Sequence, residues 1–193
     1  MQIALMVTCL GDVLRPAAGM ATVRLLRRLG HEIDFPAAQT CCGQPFYNSG
    51  FADQARELAR HTIRVFEGHE TVVTPSGSCA AMVKLEYPRL FESDAVWLRR
   101  AEELAARTFE LTDFLVNRLG VVDVGAAYEG SVTYHFACHL RGLGLLTEAE
   151  TLIRHVRGAI YIPLVRQDQC CGFGGSFAVR YPQISGAMVE DKS

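Results

Sequence analysis

Two stretches of the chain carry the same doublet: "AQTCCGQPFYN" at residues 38–48 and "QDQCCGFGGSF" at residues 167–177. Closing a disulfide between adjacent cysteines strains the peptide that joins them, so a repeated Cys-Cys-Gly points to a use other than a structural disulfide. The spacing repeats as well. Cys9 and Cys41 are separated by 31 residues, as are Cys138 and Cys170, and each member of the second pair lies 129 positions after its counterpart. Flanking text agrees: "IALMVTCL" (3–10) against "VTYHFACHL" (132–140), and "IDFPAAQTCCG" (33–43) against "IYIPLVRQDQCCG" (160–172). Each copy runs apolar strand, cysteine, helix, short strand, proline, loop, Cys-Cys-Gly. An internal repeat is the reading these agreements support.

Working outward, residues 3–8 read as a buried strand and 15–30 as a helix, with Pro16 in its first turn and Gly30 as its stop. A short strand at 32–35 precedes the first doublet, an amphipathic helix spans 51–69, and "TVVTP" (71–75) forms a third strand. Ser76 or Ser78 is placed to cap the helix that begins near Cys79. Residues 93–119 read as helix, and the weakly patterned 119–131 as the boundary between copies. The second copy is expected to bring a strand at 131–136, a helix near 147–157 and a strand at 159–164. Strands alternating with helices predict an α/β fold with parallel strands.

The chain has 193 residues, is 49% hydrophobic and 21% charged, and carries a formal net charge of −2. Nothing in that balance predicts capture of nucleic acid or an anionic membrane. No apolar run reaches the roughly 18 residues of a membrane span, and no basic region precedes the first strand as a signal peptide would require. Seven cysteines, with two vicinal pairs, make a poor disulfide framework but suit a metal or redox site in a reducing compartment, so the cytoplasm is the expected location.

Cys9, Cys41, Cys42 and Cys79 each fall at the end of a strand or in the turn that follows. In an open parallel sheet those ends converge on one edge, where ligands bind. Four soft thiolates there suit zinc or an iron–sulfur cluster. Zinc sites use C-x2-4-C knuckles, which this chain lacks. Neighbouring cysteines grip one ion awkwardly, whereas a polynuclear core offers each sulfur its own metal. Gly43 and Gly172 would then let backbone approach the core and donate N–H groups to it. The competing reading makes the cysteines buried small hydrophobes, a common fate of free thiols. His139, beside Cys138, is a candidate donor to cluster or substrate, or else a turn-stabilising group. Arg141 reads as a counter-charge to a cluster or as half of a surface ion pair. "GFGGSF" (172–177) lacks the setting of a nucleotide loop, and its glycines read as a tight chain reversal.

The segments "VTCLGD", "TCCGQPFYNSG", "VTPSGSCAAMV", "YHFACHLRGLG" and "QCCGFGGSFAVRYPQIS" together resemble the CCG cysteine-rich domain of iron–sulfur oxidoreductases, which include the heterodisulfide reductases and the iron–sulfur component of glycolate oxidase. The likeness is strongest to the small members built of CCG units alone. It implies two pseudo-symmetric Rossmann-like CCG units with parallel strands, the first at 1–120 with a helical bridge and the second at 131–193. It implies iron–sulfur clusters of the 4Fe-4S type, up to two per chain and prone to loss in air, with Cys9, Cys41, Cys42 and Cys79 ligating the first and Cys138, Cys170 and Cys171 beginning the second. It further implies an electron-transfer subunit acting with other protein subunits in the oxidation of L-lactate, a 2-hydroxy acid, to pyruvate. Ser76 stands where heterodisulfide reductases carry the first cysteine of a closing C-x-x-C, which argues against disulfide cleavage at a five-cysteine cluster. Thiol–disulfide reduction and a non-enzymatic metal-binding redox scaffold are the alternatives.

By the same offset, the counterpart of Cys79 falls at position 208, past Ser193. The second unit is therefore expected to be C-terminally incomplete, with truncation the favoured cause. It should lack one strand and leave an open sheet edge. Residues from about 180 onward should pack poorly or dock on another chain, with a homodimer among the assemblies allowed.

Overall fold

The computed structural model describes residues 1–193. Strand β1 (Gln2–Leu5) leads into a short helix α1 (Cys9–Leu14), helix α2 (Pro16–Arg28) and strand β2 (Glu32–Asp34). The first doublet follows, then α3 (Gln44–Asn48), α4 (Ala52–Phe66) and β3 (Val72–Thr74). Helix α5 (Gly77–Ala81) continues through a wide turn at Met82–Glu86 into α6 (Tyr87–Leu90), and α7 (Ala95–Arg107) leads to β4 (Thr108–Glu110). These strands form one parallel sheet in the order β2-β1-β3-β4, with Ile3 beside Ile33, Leu5 beside Val73, and Val73 beside Phe109.

Both faces of this sheet are covered, as a parallel sheet requires. Because side chains alternate along a strand, Ala4, Met6 and Val72 meet Ala59, Ile63, Phe66, Tyr87 and Leu104 on one side. Ile3 and Val73 meet Leu26, Phe114 and Leu115 on the other. Helix α2 has Pro16 at its first position, as the sequence suggests, and Gly30 stops the segment with φ +85°.

Two expectations need correction here. The strand read at 3–8 ends at Leu5, and Thr8 instead opens α1 by accepting a hydrogen bond from the Gly11 N–H at 2.9 Å. The region 93–119 is not helical throughout. Lys84 Nζ donates to the carbonyls of Ala105 at 3.1 Å and Thr108 at 3.0 Å, closing the end of α7. The chain then extends as β4 beside β3 before turning helical again in α8 (Leu111–Asp113) and the wide turn Phe114–Arg118. Packing beside Val72–Thr74 overrides the local helical pattern.

The second unit has β5 (Ala127–Val132), α9 (Cys138–Gly142), α10 (Glu148–Arg154), β6 (Arg157–Tyr161), α11 (Ser176–Arg180) and α12 (Pro182–Lys192). Its strands start earlier than the patterns at 131–136 and 159–164 suggest. The pairing Ser131–Ile160 and Val132–Tyr161 sets their register, and an irregularity between Ala127 and Gly130 extends β5 upstream. Strands β5 and β6 are parallel and form a separate two-stranded sheet. None of α12 is buried.

Candidate metal centre

The parallel strands β1, β2 and β3 aim their carboxyl ends at one edge of the sheet, and each delivers cysteine to it. Cys9 opens α1 just past β1, Cys41 and Cys42 lie in the loop after β2, and Cys79 lies in α5 just past β3. The fourth strand delivers Glu110, whose burial pushes its carboxyl above the ordinary range while it accepts the Thr112 N–H at 2.7 Å. The loops are tied together from within. Gln39 Oε1 accepts the Val7 N–H at 2.8 Å, and Gln39 Nε2 donates to the Leu5 carbonyl at 3.1 Å, clamping the exit of β1 to the doublet loop. The buried Tyr87 hydroxyl donates to the Cys42 carbonyl at 2.8 Å. Ser76, one of the two expected caps, accepts from the Cys79 N–H at 3.3 Å and so orients α5.

The four sulfurs meet in two pairs. Cys9 Sγ lies 3.4 Å from Cys41 Sγ, and Cys42 Sγ lies 3.4 Å from Cys79 Sγ. Cys9 is exposed and Cys41 half-buried, whereas Cys42 and Cys79 are 3% and 6% exposed. The thiols of Cys9 and Cys42 donate and the sulfurs of Cys41 and Cys79 accept. Donation from the neighbouring Cys42 thiol, aided by the Gly43 N–H, holds Cys41 down to about 5 against the opposing effect of burial. Donation from Cys42 also lowers Cys79. Burial, then the bond to Cys41, pushes Cys9 up to about 11, and donation to Cys41 and Cys79 raises Cys42. The quartet thus alternates acidic and reluctant thiols.

Gly43 plays the part its position suggests. Its φ is +89°, and its N–H points at Cys41 Sγ at 3.5 Å. A Cβ there would stand 3.3 Å from the Ala55 carbonyl oxygen, so helix α4 leaves no comfortable room for a side chain.

The second doublet reproduces the turn. Gly172 has φ +74° and its N–H points at Cys170 Sγ at 3.4 Å. A Cβ there would stand 2.9 Å from the Ser185 carbonyl oxygen of α12, as Gly43 stands to α4. At the strand exit the Phe136 N–H, 129 positions after that of Val7, is also held by the doublet loop, though by the Gln167 main-chain carbonyl at 3.2 Å and not by a side-chain amide. The sulfurs, however, are not brought together. Cys138 and Cys170 are exposed and Cys171 is half-buried, and no thiol hydrogen bond joins them. Cys138 Sγ instead accepts from Arg141 Nη2 at 3.6 Å, and Arg141 Nη1 lies 3.7 Å from Asp168 Oδ2, the ion pair that one reading of this arginine expects. Gly174 and Gly175, with φ +49° and +62°, make the expected chain reversal.

His139 faces neither set of sulfurs by hydrogen bond. Burial lowers its pKa, and the neutral ring Nε2 sits 2.9 Å from Gln44 Nε2, which also donates to the Ser78 carbonyl at 3.2 Å. Beside it Leu140 seats on Gly77 so closely that a Cβ on Gly77 would lie 2.7 Å from Leu140 Cδ2. The helix carrying Cys138 therefore rests on the helix carrying Cys79. Gln39, Gln44 and Tyr87 escaped the sequence reading. The two glutamines flank the doublet, and their proximity to it was the one available signal; Tyr87 had none.

The donor set can be tested against what it would hold. No group of three or more His, Cys, Asp or Glu side chains is arranged about a single ion. Four thiols gathered at one sheet edge, backed by an N–H-donating glycine and half shielded from water, are soft donors of the kind that iron–sulfur clusters take. No helix is long and apolar enough to cross a membrane.

Two parallel α/β units, each carrying a Cys-Cys-Gly turn with its glycine left-handed, define a class, and the CCG cysteine-rich domain matches residues 3–84 and 132–193. The chain is 50% identical over all 193 residues to lactate utilization protein A of Bacillus licheniformis, covering 81% of that protein. It is 52% identical to lactate utilization protein A of Anoxybacillus flavithermus and 53% identical to that of Geobacillus thermodenitrificans, covering 81% and 80% of them. The chain belongs to the lactate utilization protein A family of CCG proteins.

Proposed function

We propose that this chain is a cytoplasmic iron–sulfur electron-transfer subunit of a system that oxidises L-lactate. Cys9, Cys41, Cys42 and Cys79 would hold a cluster of the 4Fe-4S type, and Cys138, Cys170 and Cys171 would begin the ligand set of a second, which is left unassembled while their sulfurs stay apart. A cluster bound there supplies reversible one-electron storage. The convergence of four thiols from three strand ends at one sheet edge, with Cys42 and Cys79 buried, carries the reading.

The chain's own groups do the rest. Gly43 presents its N–H toward Cys41, Tyr87 fixes the Cys42 carbonyl, and α5 keeps Cys79 from water. Hydrogen bonds of this kind hold ligands in orientation and tune the electron affinity of what they bind. Gln44 and His139 join the doublet loop of the first unit to the cysteine helix of the second. The lactate-oxidising centre itself would lie on partner subunits, to which this chain passes or from which it takes electrons.

Purification without oxygen, followed by iron and sulfide analysis and electron paramagnetic resonance, tests the proposal. A reducible iron–sulfur signal in stoichiometric amount is the expected result. Folded protein that stays free of iron and sulfide under those conditions would overturn it.

A further inference from the structure

The quartet at the first site has a second chemistry written into its distances. The outer sulfurs, Cys9 and Cys41, lie 3.4 Å apart, and so do the inner sulfurs, Cys42 and Cys79. Both pairs join residues from different loops, free of the ring strain that disfavours a stable bond between Cys41 and Cys42. No such approach exists among Cys138, Cys170 and Cys171. We propose that the metal-free first site is a disulfide-forming site, closing into Cys9–Cys41 and Cys42–Cys79 with a small-molecule disulfide as oxidant. This rests on the sulfur geometry alone and stands apart from the electron-transfer reading.

The chemistry balances by exchange. The Cys41 sulfur attacks one sulfur of the small disulfide; that bond breaks, a mixed disulfide forms and one small thiol leaves. Cys9 then attacks the Cys41 sulfur and expels the second small thiol. Two protein thiols have lost two electrons and two protons, and the small disulfide has become two thiols. The inner pair is too buried for the oxidant to reach directly, so it is oxidised through its neighbour. Cys42 attacks the Cys41 sulfur and releases Cys9, and Cys79 attacks Cys42 and releases Cys41, with no net change in electrons. The outer pair is then closed again by a second molecule of oxidant. The Cys41–Cys42 bond is a passing intermediate, which gives the vicinal doublet a task as a relay. Closed this way, the four sulfurs are withheld from metal and from the irreversible steps of thiol oxidation, and a thiol reductant restores them.

The test uses the full chain stripped of metal by a chelator, with oxidised glutathione as the oxidant, maleimide trapping of remaining thiols, and mass spectrometry of non-reduced digests. At early times the peptide of Cys9 should be linked to that of Cys41 and Cys42 while Cys79 is still alkylated. At late times all three peptides should be joined, with Cys138, Cys170 and Cys171 free or carrying glutathione. Because Cys41 and Cys42 share a peptide, two variants assign the bonds. Cys42→Ser should give Cys9–Cys41 with Cys79 free, and Cys41→Ser should slow closure of Cys42–Cys79 at least tenfold. Circular dichroism of each, with Cys42→Ala as a replacement if the serine variant misfolds, separates linkage from unfolding. Early loss of Cys79, a stable Cys41–Cys42 product, or glutathione on all seven cysteines without cross-links would overturn the proposal. Since the assay contains no iron, its outcome is independent of whether a cluster binds.

Discussion

The two Cys-Cys-Gly units share a sequence and a turn but not a core. In both, the glycine after the doublet is left-handed, its N–H faces the first cysteine of the pair, and a helix packs against its Cα. Yet every buried apolar side chain except Leu140 and Leu145 comes from residues before 120, and the second sheet has two strands to the first sheet's four. In the first unit β3 and α5 carry Cys79 in under the doublet and the sulfurs pair; in the second the three sulfurs stay apart. The signature therefore sets the local turn, while in the first unit the sulfurs are gathered by a packed sheet and by the helix that carries Cys79.

That contrast can be broken most visibly by hydrogen exchange. Amides of β1 and β3 should open only with global unfolding, whereas those of β5 and β6 should exchange through local openings cheaper by about 2 kcal/mol or more. Equal protection in the two sheets would mean that the second unit is held by contacts other than apolar burial. The next effect compares the two glycines. Gly43→Ala should cost about 1–2 kcal/mol, because its φ is disfavoured for a side chain and the Ala55 carbonyl crowds the new Cβ. Gly172→Ala faces the same strain but should loosen α12 while leaving the main thermal transition of the first sheet in place. If both substitutions lower that transition equally, the units fold as one. Smallest is Tyr87→Phe, which leaves the Cys42 carbonyl without its buried partner and should cost about 1 kcal/mol in denaturant unfolding. A change within error would mean that the loop is fixed by its other ties.

Much of this was legible in the residues themselves. The 129-residue offset exposed the repeat, and strand-end cysteines named the edge where Cys9, Cys41, Cys42 and Cys79 meet. The glycines announced their own turns because only backbone conformation is at stake there. What stayed hidden depends on contacts distant in sequence. Residues 108–110 become a strand because β3 lies beside them, not because of their own pattern. Gln39 and Gln44 are ordinary amides until β1 and α9 come within reach. The sequence makes His139 a candidate donor to cluster or substrate, but gives no sign that its ring Nε2 accepts from Gln44. The separation of the second set of sulfurs was likewise beyond a pattern that counts cysteines without measuring where they point.

Iron bound per chain in matched variants is the most direct test of the central claim, that the first quartet is the assembled metal site. Wild type, Cys42→Ser and Cys171→Ser would be prepared side by side without oxygen and reconstituted with ferrous iron and sulfide. Their folds would be checked by circular dichroism. The account predicts that Cys42→Ser loses about four irons per chain, the content of one 4Fe-4S core, while keeping its helix content. Cys171→Ser should lose far less, because its partners do not converge. Iron that survives Cys42→Ser and disappears with Cys171→Ser would contradict the account and move the working site to the second unit.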